Sequence, residues 1–316
     1  MPNSGTKPSI VFFGNERLAT GVVTNLPILT MLLEEGYKVA AIVASDSGTA
    51  SRKQRTLEVE EFAKSHDIPY FSPKKLADIY DNLQALRAEA GILAAYGKMV
   101  PESVISLFPQ GIINIHPSAL PQHRGPIPLE AVMLDGSSET AVSLMALVRS
   151  MDAGPVYAQA PVELVGNETK QALAETIGDI GSSMLRSMLP KIFSGECVAQ
   201  PQDDAVATYD TRITKADGVL NFTKPAVQLE REVRAYAGWP GICTTIAGKD
   251  VVITAAHITK TEGLLDTPGS AYITNKQLYI QTSNNALIID KLKPAGKNEM
   301  SAAAFIAGYG KNIKTK

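Results

Sequence analysis

Residues 111–126 read GIINIHPSALPQHRGP. The first six form an apolar run of strand length, which fits a strand buried on both faces of a parallel sheet. GILAAY at 91–96 has the same character. Pro117 then stops the ladder from continuing normally. Asn114 and His116 are two positions apart, so on a strand they project to one face, here at its carboxyl end. In open α/β sheets, ligands gather at that end. An Asn amide supplies donors and an acceptor, and a His donates or acts as acid or base. The pair suits an oxygen that becomes negative in a tetrahedral intermediate. The plainer alternative is a capped strand end with a hydrogen-bonded, buried histidine.

Outward from this stretch, strands alternate with helices. SIVFFG (9–14) and YKVAAIVAS (37–45) read as buried strands, with a helical pattern over 18–35 between them. A polar loop at 46–55 carries Arg52, Lys53 and Arg55. Residues 56–69 look helical up to Pro69, and Ser72-Pro73 is a helix start, opening a helix to about Ala90. TAVSLMALV (140–148) and VYAQAPVEL (156–164) add two strands, and a long helix follows over 168–193. The pattern predicts a Rossmann-like, mostly parallel α/β sheet. Residues 196–211 lack periodicity and read as a linker. After a helical segment at 224–238 come short strand-like runs: CTTIAG, DVVITAAHI, GSAYI, QLYIQT and ALIIDKL. These suggest a small barrel. The expected organisation is therefore a catalytic domain over 1–195, a linker over 196–211 and a second domain over 212–316.

With 316 residues, about two domains are expected. A composition of 45% hydrophobic and 20% charged residues is that of an ordinary globular protein. The apolar runs are too short to span a bilayer, and the N-terminus matches a signal peptide poorly, so a cytoplasmic protein is expected. Cys197 and Cys243 form no CxxC pair, and four scattered histidines show no metal-ligand spacing. No GxGxxG fingerprint is present. The net charge of −2 argues against a generic nucleic-acid binder, yet residues 211–316 carry +6 and the remainder −8. Such asymmetry suggests an acidic partner for the basic half; a solvated lysine-rich surface is the alternative. One more side chain belongs with Asn114 and His116. SMDAGPVY (150–157) closes a strand and places Asp152 beside an Ala-Gly-Pro turn. A carboxylate next to a histidine orients the ring and stabilises its charged form. A solvent-facing turn aspartate is the alternative.

The stretch from Asn114 to Gln159 strongly resembles the core of the folate-dependent formyltransferases. Their pattern is Asn-x-His-Pro-Ser-Leu-Leu-Pro, with an Asp about three dozen residues later. Asn114, His116 and Asp152 match the catalytic trio of that pattern. Ser118, Ala119, Leu120 and Pro121 match its turn, with Ala119 departing from it. The resemblance implies a folate formyl donor, 10-formyltetrahydrofolate, lying against Ser118–Pro121, against Ala94, Ala95 and Tyr96, and against the loop holding Gly154. His123 and Arg124 follow the turn and are candidates for a folate or tRNA entrance; a solvated loop is the alternative.

Residues 213–253 and 292–309 resemble the C-terminal domain of the methionyl-tRNA formyltransferase family. That implies an oligonucleotide-binding (OB) type β-barrel whose basic surface meets initiator Met-tRNA. Arg52, Lys53, Arg55, Lys215, Lys293 and Lys297 are the expected tRNA-contacting cations. A monomer without a metal or a membrane partner is expected. The family's Gly-Thr-Pro-x-Phe turn appears here as Gly14-Asn15-Glu16-Arg17-Leu18. That change keeps a sugar-nucleotide N-formyltransferase open as the alternative. A hydrolase delivering the formyl group to water and a catalytically silent RNA-binding protein are further classes, and the intact trio argues against the last.

Overall fold

The computed structural model describes residues 7–45, 57–260 and 266–315. The chain divides into two compact units. The first comprises the residues up to Leu129, Ser138–Val165 and Gln171–Thr211; the second comprises Glu130–Ser137, Gly166–Lys170 and the residues from Arg212 on.

The first unit is built on a seven-stranded sheet. Its strands are β1 (Ser9–Gly14), β2 (Lys38–Val43), β3 (Tyr70–Phe71), β4 (Ala90–Ala94), β5 (Ile112–His116), β6 (Glu139–Ala146) and β7 (Val156–Glu163), in the order β3-β2-β1-β4-β5-β6-β7. Pairings from β3 to β5 are parallel; β6 joins β5, and β7 joins β6, antiparallel. Strand order reverses between β1 and β4, which opens a crevice at the carboxyl ends of the strands. Ile10, Val11, Phe12 and Phe13 are all fully buried, as expected for a strand covered on both faces. Phe13 meets Tyr96 and Phe108 edge-on, with ring centroids 5.9 and 5.8 Å away, in a geometry that aromatic quadrupoles favour. The helices are α1 (Pro27–Glu34), α2 (Glu58–Ser65), α3 (Tyr80–Leu86), α4 (Glu102–Ile105), α5 (Pro128–Asp135) and α6 (Lys170–Phe193). In α6, Leu173, Ile177, Leu185, Leu189 and Ile192 fall on one stripe and are buried.

Two helices are shorter than the sequence pattern predicts. The helix read over 18–35 exists only as α1. Residues 17–26 are irregular, and Leu26 at its start has φ of 57°. The helix read from 72 to about 90 is a 3₁₀ turn over Leu76–Ile79 followed by α3, which Arg87 ends in the left-handed region. In the first, Ala19, Val22 and Leu26 are buried although residues 17–26 are irregular, so the apolar pattern is met without a helix; in the second, Ser72-Pro73 precedes the helical turn rather than starting it. The stretch 196–211, read as a linker, is folded against the first unit. It forms bridges from Gln200 to Val156 and from Tyr209 to Arg124.

The second unit holds α7 (Ala226–Ala235), then β8 (Ile242–Ile246), β9 (Lys249–Thr259), β10 (Ala271–Thr274), β11 (Gln277–Gln281), β12 (Ala286–Pro294), β13 (Met300–Ser301), α8 (Ala302–Tyr309) and β14 (Lys314–Thr315). Its sheet runs β14-β10-β11-β12-β9-β8, with β13 on β12. The pairings are antiparallel except for β14 on β10. The register between β9 and β12 shifts at Asp290, and such a bulge bends a strand and increases its twist. This curled sheet agrees with the small-barrel reading of the C-terminal half. Helix α8 has no counterpart among the elements the sequence pattern predicts; Ser301 caps it by accepting the Ala304 N–H at 3.2 Å.

Candidate active site

Asn114 and His116 lie on β5, facing Met145 and Ser143 of β6, and Asn114 also pairs with Leu93 of β4. Both are buried, at 5% and 4% exposure. The His116 ring bonds the His123 carbonyl through Nε2 at 3.0 Å. A carbonyl only accepts, so Nε2 carries the hydrogen. Nδ1 then faces the Asp152 carboxylate, 3.7 Å from Oδ1. The other oxygen of Asp152 accepts the Gly125 N–H at 2.9 Å. Asp152 itself adopts φ of 48°, a left-handed conformation uncommon for a residue with a side chain. The structure thus brings His116 and Asp152 together across 36 residues of sequence. No side-chain hydrogen bond among the described residues engages the Asn114 amide, so its donors remain available at the strand end.

The 118–121 turn is fixed from behind. Ser143 Oγ donates to the Ser118 carbonyl at 2.6 Å, and the Leu120 N–H reaches the same hydroxyl at 3.3 Å. Gln159 Nε2 donates to the Leu120 carbonyl at 2.8 Å and to Ser143 Oγ at 2.9 Å. Ser118 Oγ is spent on the Gln122 carbonyl at 2.7 Å. The Leu120–Pro121 peptide is cis. The exposed groups of this turn are therefore mainly backbone. Ala94 ends β4, and Ala95 follows at φ of 54°. The Tyr96 side chain lies in the core with Phe13, and burial pushes its hydroxyl up to about 12. Only its backbone can serve a ligand. Gly154 has no room for a side chain, because an added Cβ would lie 1.8 Å from the Ala146 carbonyl oxygen.

Three features were not assigned from sequence. Glu16, in the altered turn after β1, is buried and accepts the Ile28 and Leu29 N–H groups at 2.9 and 2.8 Å. It fills the start of α1, where unpaired N–H groups attract an anion. Burial raises its carboxyl to about 7, against the pull of those two bonds. Arg124, considered for an exposed entrance, is instead 0% exposed. Its side chain turns inward to Gln202, Asp204 and Tyr209. Gln202 and Tyr209, inside the segment read as a linker, thereby become part of the site's support. Only Glu16 carried a local signal, the change in the turn motif. Arg124, Gln202 and Tyr209 meet across about 80 residues, which no local pattern reveals.

Of the expected tRNA-contacting cations, Arg52, Lys53 and Arg55 lie outside the described residues. Lys215, Lys293 and Lys297 are exposed on the second unit, and none is in an ion pair among the described residues. Lys293 lines a recess of about 500 Å³ with Val219, Cys243 and Pro294. Other cations of this half are engaged internally: Lys224 with Glu232 at 2.6 Å, and Arg234 with Glu230 at 2.6 Å.

Residues 18–189 match the formyl transferase family and residues 212–310 match the C-terminal domain of formyl transferases. The chain belongs to the formyl transferase family. Its relatives along the whole length include the methionyl-tRNA formyltransferase of Chloroflexus aurantiacus, 33% identical over 312 residues, covering 96% of this chain and 98% of that one. The methionyl-tRNA formyltransferase of Staphylococcus aureus is 30% identical, covering 95% and 96%. Among solved structures, the sugar 3N-formyltransferase WlaRD shares the fold with a TM-score of 0.66 at 16% identity, over 93% of this chain and 100% of that one. HypX from Aquifex aeolicus, solved with tetrahydrofolic acid, gives 0.63 at 15% identity; this chain matches 48% of its length. No helix among the described residues is long and apolar enough to cross a membrane.

Proposed function

We propose that the chain transfers a formyl group from 10-formyltetrahydrofolate to the amino group of methionyl-tRNA. The observation that carries this reading is its likeness to methionyl-tRNA formyltransferases through both units, at 33% identity over 96% of the chain. The likeness to a sugar formyltransferase is one of fold, at 16% identity.

The acceptor amine attacks the formyl carbon, and the formyl oxygen takes up the displaced electron pair. Asn114 donates its amide hydrogen to that oxygen, stabilising charge where it develops. The tetrahedral species collapses by breaking the bond from carbon to N10 of the folate, and N10 receives the proton that the amine gives up. His116 and Asp152 hold and move that proton. His116 Nε2 is anchored on the His123 carbonyl, so its exchangeable position is Nδ1, against Asp152. In this conformation the Nε2 hydrogen is spent on the His123 carbonyl and is not offered to the oxyanion. The backbone of the 118–121 turn, the end of β4 and the Gly154 loop bind the folate. Fixing donor and acceptor in attack geometry supplies much of the rate. Lys215, Lys293 and Lys297 meet tRNA phosphates, together with Arg52, Lys53 and Arg55.

The test offers the protein 10-formyltetrahydrofolate with Met-tRNA and, in parallel, with amino-sugar nucleotides. Formylated Met-tRNA is the expected product. Product from the sugar amine alone would overturn the acceptor assignment and leave the trio in place.

A further inference from the structure

Residues 200–210 form a clasp over the turn that follows β5 and the loop that carries Asp152. On one side, the segment pairs with 121–125. The Thr208 N–H reaches the Pro121 carbonyl at 3.2 Å, the Arg124 N–H reaches the Thr208 carbonyl at 2.9 Å, and the Asp210 N–H reaches the Arg124 carbonyl at 2.8 Å. Thr208 Oγ1 accepts the His123 N–H at 2.8 Å. These bonds set the position of the His123 carbonyl, which anchors His116. On the other side, Gln202 holds the Asp152 loop. Its Nε2 donates to the carbonyls of Asp152 and Gly154 at 2.8 and 2.7 Å. Its Oε1 accepts from Arg124 Nε and Nη2 at 3.0 and 2.9 Å. The amide has two donor hydrogens and two acceptor lone pairs, and all four are used. Arg124 completes the clasp through Tyr209 at 2.6 Å and Asp204 at 2.8 Å. A fully buried guanidinium persists only when its donors are satisfied, so the clasp and Arg124 require each other.

We propose that Gln202, locked by Arg124, is a positioning residue for formyl transfer: it holds the 152–154 backbone so that the Asp152 carboxylate stays against His116 Nδ1. This rests on the trio acting as proposed above. Gln202 touches no reacting atom. It acts through Asp152, whose left-handed backbone has a strong tendency to relax if its carbonyl is released.

The test is Gln202→Glu, which keeps both acceptors for Arg124 and removes both donors to the Asp152 and Gly154 carbonyls. Turnover is measured in the full-length protein alone and in an Asp152→Asn background. The expected result is a kcat lower by about 100-fold, the scale on which a misplacement of about 1 Å slows a reaction. KM for the folate should stay within about twofold, since ground-state binding is untouched. The cost should vanish in the Asp152→Asn background, because a residue acting only through Asp152 is not additive with its loss. Wild-type kcat in Gln202→Glu, or the full cost persisting beside Asp152→Asn, overturns the proposal and leaves the trio standing. Wild-type turnover in Asp152→Asn alone overturns the trio itself, and the proposal with it. Circular dichroism checks folding; if Gln202→Glu does not fold, Arg124→Lys, which loses the forked contact to Gln202, replaces it in the same cycle with the same expected non-additivity.

Discussion

Glu16 shows how one side chain can tie stability to pH. Its carboxyl is at about 7 in the folded chain, against an ordinary value of 4.5. A group whose proton is held more tightly on folding favours the folded state while it is protonated. That advantage is full below 4.5 and is lost as pH rises through 7. Its size is on the order of 3–4 kcal/mol, since a tenfold change in proton affinity is worth about 1.4 kcal/mol. Glu16→Gln removes the titrating group and keeps one acceptor for the start of α1. Thermal melts should show wild-type stability falling, relative to the variant, between about pH 5 and pH 8. Parallel curves would mean that Glu16 does not titrate in that window. At the same scale, Asn114→Ala should lower kcat by about 10²- to 10³-fold, the effect of removing one oxyanion donor. Near-normal single-turnover rates in folded Asn114→Ala, His116→Ala and Asp152→Ala would remove the trio from the chemistry.

At the scale of elements, the turn after β5, beside the segment 200–210, leaves no room for a side chain at Gly125. Its φ is 130°, and a Cβ there would lie 2.7 Å from the Asp210 carbonyl oxygen. Gly125→Ala must therefore push the clasp away or distort the turn that donates to Asp152. A loss of about 1–3 kcal/mol in urea unfolding is expected, of the size strained backbone positions carry. Unchanged stability would show that the two segments yield without cost. On β12, Lys293 and the following Lys297 are exposed and unpaired among the described residues. If they meet phosphates, replacing each with Ala should lower the log–log salt slope of tRNA binding by about 1. An unchanged slope would place the tRNA elsewhere on the second unit.

At the scale of the molecule, the last crossing between the two units in sequence lies between Thr211 and Arg212, since Glu130–Ser137 and Gly166–Lys170 also belong to the second unit. A truncated protein ending at Thr211 keeps Gln202, Thr208, Tyr209 and Asp210, and so keeps the clasp. It should bind folate with affinity close to that of the full chain and fail to formylate Met-tRNA, because the exposed lysines of the second unit are gone. Calorimetry with folate and a tRNA formylation assay separate the two outcomes. Loss of folate binding would give the second unit a structural part in the first. Cutting before Thr208 would confuse the result, since it also removes the bonds that hold the His123 carbonyl.

The sequence alone determined the elements whose causes are local. Continuous apolar runs at 9–14, 91–96 and 111–116 had to become doubly buried strands, and the spacing of Asn114 and His116 placed both on one face of β5. The motif around them was enough to point to the formyltransferases. The strand-like runs after 240 likewise marked the second unit's sheet, because alternation and turn residues act within a few positions. What the tertiary structure decided rests on contacts between distant residues. The apolar pattern at 18–26 matched a helix, but Ala19, Val22 and Leu26 are buried there without helical bonding, and the Ser72-Pro73 start signal lies ahead of a helical turn that begins only at Leu76. Asp152 could be read as a turn residue until the fold set it 3.7 Å from His116. Arg124 and Gln202 are polar residues in loops, ordinary in sequence. Only the fold buries the guanidinium, and burial obliges it to find partners from a segment that, read alone, looks like a linker.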